Sequence, residues 1–254
     1  MSHNVDFRTN DLTILSYALR KAAVAGLAAM ALAALAISAR ADLVTNGSFE
    51  ETTNGSGEFD SFTTPTGWAS TGYNFIFASG TADTTGSYTP QYTEYLTLWG
   101  PNDGSVNGLP ASSPDGGNFV AADGAFETGA ISQTINGLSS GDTYAVGFWW
   151  AGAQQKGFNG VNTEQWKVGF GGQSQSTAVA NNASNGFTGW MYQTFDFTAD
   201  NTSDILSFLA IGTPNGVPPF SLLDGVSVNA VPEPGSAAPI LIGLGLMARK
   251  WSKR

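Results

Sequence analysis

The chain has 254 residues, 32 glycines, seven tryptophans, no cysteine and only 12% charged residues, a profile that fits a turn-rich all-β domain and excludes disulfides and thiolate metal sites. Residues 42–231 hold two basic side chains, Lys156 and Lys167, against seventeen Asp and Glu, and a segment of that sign repels phosphate backbones, which excludes nucleic acid as a partner. The only histidine is His3, so this segment cannot build a Ser-His-Asp or Cys-His nucleophile or an ordinary zinc site.

In chain order, Arg20 and Lys21 precede the apolar run "AAVAGLAAMALAALAIS", and Ala39-Arg40-Ala41 follows it. A basic region, an apolar region and a small-x-small site make a secretory signal. Residues 1–41 are therefore expected to form an apolar signal helix that signal peptidase removes after Ala41.

Strand signals then recur between Gly, Asn, Asp and Pro clusters. "DTYAVGFWW" puts Tyr144, Val146, Phe148 and Trp150 on one face and Trp149 on the other. "GWMYQTFDFTAD" separates Met191, Phe195 and Phe197 from Tyr192, Thr194 and Asp196. "DILSFLAIG" is apolar on both faces and reads as a central, fully buried strand. "FSLLDGVSVNA" alternates through Leu222, Val226 and Val228, with Asp224 in phase with them and so directed at the core. Weaker strands are "DLVTNGSFE", "YNFIFAS", "TEYLTLW", "GNFVAA", "GAISQTI" and "EQWKVGF". "GFGGQSQS" reads as a hairpin turn, because no basic residue follows to make it a phosphate loop. "SPDGG" and "NDGSVNG" are turns without the ligand spacing of an EF-hand. Residues 42–230 are thus expected to form one β-sandwich.

The chain closes with Pro232-Glu233-Pro234, a glycine- and leucine-rich run of 14 residues from Gly235 to Ala248, and the basic end Arg249, Lys250, Lys253 and Arg254. A helical bilayer span needs about 20 residues, so this run makes a thin anchor, a short hydrophobic helix with its basic end held on the cytoplasmic side. Residues 231–254 resemble the PEP-CTERM sorting signal of Gram-negative bacteria. That resemblance implies transient anchoring in the inner membrane and cleavage by an exosortase. It also implies delivery to the cell surface or to an extracellular matrix rich in exopolysaccharide, as in biofilms.

A second resemblance spans the middle segment. "LVTNGSFE", "GW", "ISQTINGLSSGDTYAVGFWWAG" and "LLDGVSVNAVPEPG" occur in that order, and the segment is similar to galactose-binding-like jelly rolls and carbohydrate-binding modules. It implies an all-β fold, a single jelly-roll β-sandwich, with extracellular polysaccharide as a partner. It also implies a structural calcium ion joining the first strand to the last, at Glu50 and Asp224, although Gly225 stands where that family usually has a second acid. Independently, a core-directed Asp224 with no basic residue near it in sequence needs a hydrogen-bond partner or a cation.

Tryptophans are the residues suited to stack on the C–H face of a sugar ring. Trp149 lies opposite the apolar face of its strand, and Trp99 and Trp166 fall at strand ends or loops, so these three are the candidate ligand contacts. Tyr73, Tyr88 and Tyr92 add aromatic surface. A glycosidase needs only two carboxylates, but none of the seventeen sits in a catalytic motif. The sequence reads best as a non-catalytic, exported polysaccharide-binding protein. A structural or adhesive matrix component without a sugar site, or a secreted hydrolase, are the alternatives.

Overall fold

Aromatic and β-branched residues alternating with polar ones over five to twelve residues dictate strands with one buried face. In the computed structural model, which describes residues 42–232, such strands make up two packed sheets. The signal residues 1–41 with Ala39 and Ala41, and the tail from Glu233 and Pro234 onward, lie outside the described residues; Pro232 ends them in irregular backbone. The described residues up to Val231 form one compact unit. Among the described residues no helix is long and apolar enough to cross a membrane.

The strands are β1 (Gly57–Glu58), β2 (Ala69–Ser70), β3 (Asn74–Phe77), β4 (Ser87–Thr89), β5 (Glu94–Leu96), β6 (Phe119–Asp123), β7 (Ile131–Asn136), β8 (Thr143–Gln154), β9 (Asn162–Phe170), β10 (Gln173–Ser176), β11 (Ala180–Asn182), β12 (Met191–Thr198), β13 (Ser203–Thr213) and β14 (Pro219–Ala230). One sheet has the order β12-β8-β14-β6-β3-β1-β4-β5, and the other β10-β9-β13-β7-β2 with β11 also paired to β9. The fold is the all-β jelly-roll sandwich that the sequence implies.

Side-chain parity divides the apolar residues into two clusters. Between the sheets lie Tyr144, Val146, Phe148 and Trp150 of β8, Trp166 and Val168 of β9, and Phe208 of β13. Phe208 is the hub, with ring centroids 5.1 Å from Phe148 and 5.9 Å from Trp166. On the outer face of the larger sheet, Phe75, Phe119, Ala151, Phe220 and Leu222 form a second cluster. Leu98, Leu109 and Trp190 pack over it from the connecting segments.

Two strand expectations change. "DILSFLAIG" becomes β13, which is central in its sheet but covered on one face only: Ile205 and Ile211 are 58% and 40% exposed, while Leu206, Phe208 and Ala210 are buried. "DLVTNGSFE" is a loop, because Asn46 and Phe49 take positive φ (53° and 55°), which breaks extended backbone. The "GFGGQSQS" hairpin forms as read, with Gly171 and Gly172 between paired Phe170 and Gln173.

Trp166, expected as a sugar contact, is instead a core residue. It has the inward parity of β9, is 0% exposed, and donates its indole N–H to the Leu222 carbonyl at 3.0 Å. Trp166→Ala removes the largest buried ring, so it is expected to cost about 3–5 kcal/mol, read as a lower urea midpoint at unchanged slope.

Candidate functional site

Asp224 is placed by a break in the strand that carries it. On β14 the pairing runs Leu223 to Trp150 and Asp224 to Trp149, and then Ser227 to Gly147. Three steps on β14 match two on β8, so one residue is extra. Gly225 takes φ +56° there, a conformation that favours glycine and that makes a β-bulge. Leu223 before the bulge and Val226 and Val228 after it face the inter-sheet core. Leu222 faces the outer cluster, and Asp224 shares its side. The expectation that Asp224 is in phase with Val226 and Val228 is therefore corrected: the bulge turns it to the opposite face.

Two loops close over that carboxylate. The Val226 N–H donates to the Gly47 carbonyl at 2.9 Å, which pins the "NGSFE" loop to the bulge. A Cβ on Gly47 would stand 2.0 Å from the Val226 carbonyl oxygen, so only glycine permits this approach. The second loop is "SPDGGN". Ser113 donates to Asp224 Oδ2 and accepts the Asp115 N–H at 3.0 Å, and Ser48 in turn donates to Asp115. Glu50 Oε1 accepts the Asn118 N–H at 2.6 Å, while the Asn118 side chain donates to the Phe49 carbonyl at 2.9 Å. Three stretches far apart in sequence thus meet at one acid.

Asp224 is 0% exposed, and its Oδ1 has no hydrogen-bond partner. Burial pushes the carboxyl up to about 8, and the nearby Asp115 and Glu50 charges push the same way against the Ser113 and Gly225 hydrogen bonds. Glu50 is exposed. Among the described residues, no three His, Cys, Asp or Glu side chains converge as a metal-holding group. The orphaned Oδ1, with two further acids around it, nevertheless suits a hard cation that completes its shell with backbone carbonyls and water. Asp115 was missed in the sequence. Its "SPDGG" motif reads only as a turn until the bulge brings Asp224 to it.

The outward side of the same strands carries an aromatic shelf. Tyr192 of β12, Trp149 of β8 and Asp224 of β14 are register partners in a single cross-strand row. The rings of Trp149 and Tyr192 lie 5.1 Å apart at 61°. Trp149 is half-buried and Tyr192 is 55% exposed. Gly147, the next outward position on β8, leaves room for the tyrosine: a Cβ there would meet Tyr192 Oη at 2.3 Å. A Cβ on Gly225 would stand 3.1 Å from Trp149 Cδ1, so the indole rests on the bulge. Thr194 and Ser227 flank Gly147, and Asp196 and Asn229 flank Ala145 in the following row. An exposed aromatic plane beside hydroxyl, amide and carboxylate groups can hold a ligand with one apolar face and a polar rim.

The remaining candidates lie apart in role. Trp99 follows β5, is half-buried, and donates its indole N–H to the Phe158 carbonyl at 2.8 Å. Tyr73 is buried, Tyr88 half-buried and Tyr92 47% exposed.

Residues 230–254 match the PEP-CTERM protein-sorting motif, the signal of exosortase-dependent export to the cell surface. Along 225 residues the chain is 26% identical to halomucin of Haloquadratum walsbyi; this is 88% of the chain but 2% of the length of that relative. Among solved structures it is similar to TmCBM61 in complex with β-1,4-galactotriose (18% identity, 75% and 99% of the two chains, TM-score 0.39). It is also similar to the CBM22-1 xylan-binding domain of Paenibacillus barcinonensis Xyn10C (12%, 78% and 99%, 0.39). A third similar structure is the K3 adhesin domain of Lys-gingipain from Porphyromonas gingivalis (13%, 74% and 99%, 0.37).

The raised carboxyl makes a pH prediction. Below the ordinary 3.8 both the native and the unfolded chain hold the Asp224 proton, and above about 8 neither does. In between, only the native state holds it, so stability falls as pH rises through that window. In chelator, the urea midpoint is expected to drop from pH 4 to pH 8. Asp224→Asn is expected to make that slope shallower; an unchanged slope would show that Asp224 ionises freely.

Proposed function

We propose that this exported chain is a non-catalytic surface or matrix protein that binds extracellular polysaccharide on the Trp149–Tyr192 shelf. The observation that carries this reading is the cross-strand row itself. A half-buried indole and an exposed tyrosine lie edge to face on the outward side of the larger sheet, next to a strip of Thr, Ser, Asn and Asp. A pyranose presents axial C–H groups to such rings, and its equatorial hydroxyls reach the strip on either side. On this reading signal peptidase cuts after Ala41, and the tail crosses the inner membrane of a Gram-negative cell transiently. An exosortase then acts at Pro232-Glu233-Pro234, and the domain ends in the exopolysaccharide of a biofilm matrix.

Calcium is part of the proposal. Asp224 Oδ1 and Glu50 would be its side-chain ligands, and the ion would fasten the "NGSFE" loop to the last strand directly beneath Trp149. Asp224 itself is no general acid, since such a group must reach the glycosidic oxygen and this carboxyl is 0% exposed.

The test is affinity electrophoresis of the purified full chain through galactan, xylan, mixed-linkage glucan and the producing cell's own exopolysaccharide, with calcium and with chelator. Retardation is expected in at least one gel, weaker in chelator. Trp149→Ala is expected to weaken it about tenfold or more, the loss of a stacking contact worth about 1–2 kcal/mol, with the unfolding midpoint little changed. A folded chain that is retarded in no gel would leave a structural matrix component without a sugar site.

A further inference from the structure

The inter-sheet layer collects its unpartnered polar side chains at one end, where β8, β9, β11 and β14 meet. The inward residues there are Asn162 and Glu164 of β9, with Asn182 of β11 opposite Asn162 in register. Gly152 of β8 and Ser221 of β14 are paired with each other, and Ser221 has the inward parity of Leu223. Glu164 and Ser221 are 0% exposed, Asn162 2% and Asn182 3%. A Cβ on Gly152 would stand 2.4 Å from Glu164 Oε2, so this glycine is what makes room for the carboxylate.

Among the described residues, seven buried side-chain atoms lack a hydrogen-bond partner, and four of them are in this cluster: Asn162 Oδ1 and Nδ2, Glu164 Oε2 and Ser221 Oγ. Glu164 Oε1 accepts only a long 3.4 Å bond from Asn182. No basic side chain compensates the acid. Of the two lysines among the described residues, Lys156 pairs with Asp103 at 3.5 Å, and Lys167 is on the exposed face of β9, opposite in parity to Glu164. One edge of the cluster borders a cleft. Asn162 and Asn182 line a cleft of about 510 Å³ together with Val161, Thr163, Thr213 and Pro214.

A carboxylate, an amide carbonyl and a hydroxyl left together without partners form an oxygen-only donor set, which suits a hard cation of the calcium class. An uncompensated buried charge is costly, and a divalent ion removes that cost while satisfying the oxygens. We propose that Glu164, Asn162 and Ser221 form a cation site inside the sandwich, entered through the Asn162–Asn182 cleft. With its Oδ1 turned to the ion, Asn162 keeps its Nδ2 for water at the cleft wall. The ion ties β9 of one sheet to β14 of the other, as a cross-link would.

This site is independent of the one beneath Trp149, so the experiment removes that one first. The full chain carrying Asp224→Asn is titrated with terbium, whose emission Trp166, two residues from Glu164 on the same strand face, can sensitise. One terbium per chain is expected, displaced by calcium. Adding Glu164→Gln is expected to weaken binding at least tenfold, and adding Ser221→Ala a few-fold. Absence of terbium binding by the Asp224→Asn chain would overturn the proposal and leave the cluster to buried water; emission unchanged by Glu164→Gln would overturn it too. Should Glu164→Gln fail to fold, Asn162→Asp supplies a second carboxylate and is expected to tighten binding, and unaltered affinity overturns the site. Glycan retardation is untouched by the Glu164 variants on either outcome, so the two readings fail separately.

Discussion

The hydrogen bond from the Val226 N–H to the Gly47 carbonyl, at the glycine bulge of the last strand, is what the arrangement of this domain depends on. A strand has period two, and a one-residue insertion moves every following side chain to the other face. Here the shift serves both faces at once. Before the bulge Phe220 and Leu222 pack outward under the loops, and after it Val226 and Val228 fill the inter-sheet core. Asp224 is caught at the crossover, where the strand can no longer bury an apolar residue outward and the "NGSFE" and "SPDGGN" loops close the gap. The Trp149 indole rests on the same bulge, so shelf and acid share one foundation.

A second constraint is charge. A domain with two lysines among its described residues has almost nothing with which to neutralise a buried acid. Six acids are buried nevertheless, and three of them are shifted. Burial pushes Asp123 up to about 6, and Glu164 and Asp224 each up to about 8. Asp123 is accounted for within the chain, since it accepts the Ala125 and Phe126 N–H groups at 2.8 and 3.0 Å and so ends β6. Glu164 and Asp224 each keep an oxygen without a partner. Sequences do not retain unpaired buried carboxylates cheaply. These are the two acids for which a cation is proposed, whereas the acid with its own backbone donors needs none.

Most of the architecture was legible because it is written in local alternation. β8 and β12 formed with the parity the sequence assigns, and the β9–β10 hairpin turns where "GFGGQSQS" reads as a turn. The losses came where parity alone is blind. Trp149 and Trp166 look alike as sequence, yet one is half-exposed and the other is the largest residue in the core. Only the sheet order tells which face of each strand has a second layer over it. "DILSFLAIG" carries isoleucines on its open face, so its hydrophobicity overstated its burial. The "NGSFE" stretch has strand-like composition but needs positive φ at Asn46 and Phe49 to lay its carbonyl on Val226. The bulge itself was signalled only by the Asp224-Gly225 pair inside a strand pattern, a familiar turn dipeptide that here turns no corner.

The two unpaired acids also bear on how the sandwich holds its sheets together. Apolar packing between the layers is centred on Phe208, near the middle of β13, and thins toward the end where Asn162, Glu164 and Ser221 face inward. An apolar residue at Glu164 would bury more surface there, yet Gly152 leaves room for a carboxylate in place of a methyl group. The other unpaired acid lies where two loops, and not two sheets, must be fastened. Each therefore occupies a seam that hydrophobic contact alone leaves weakly closed. On the proposed reading, a divalent ion held at each seam would stabilise the native state through its differential binding, without further buried area.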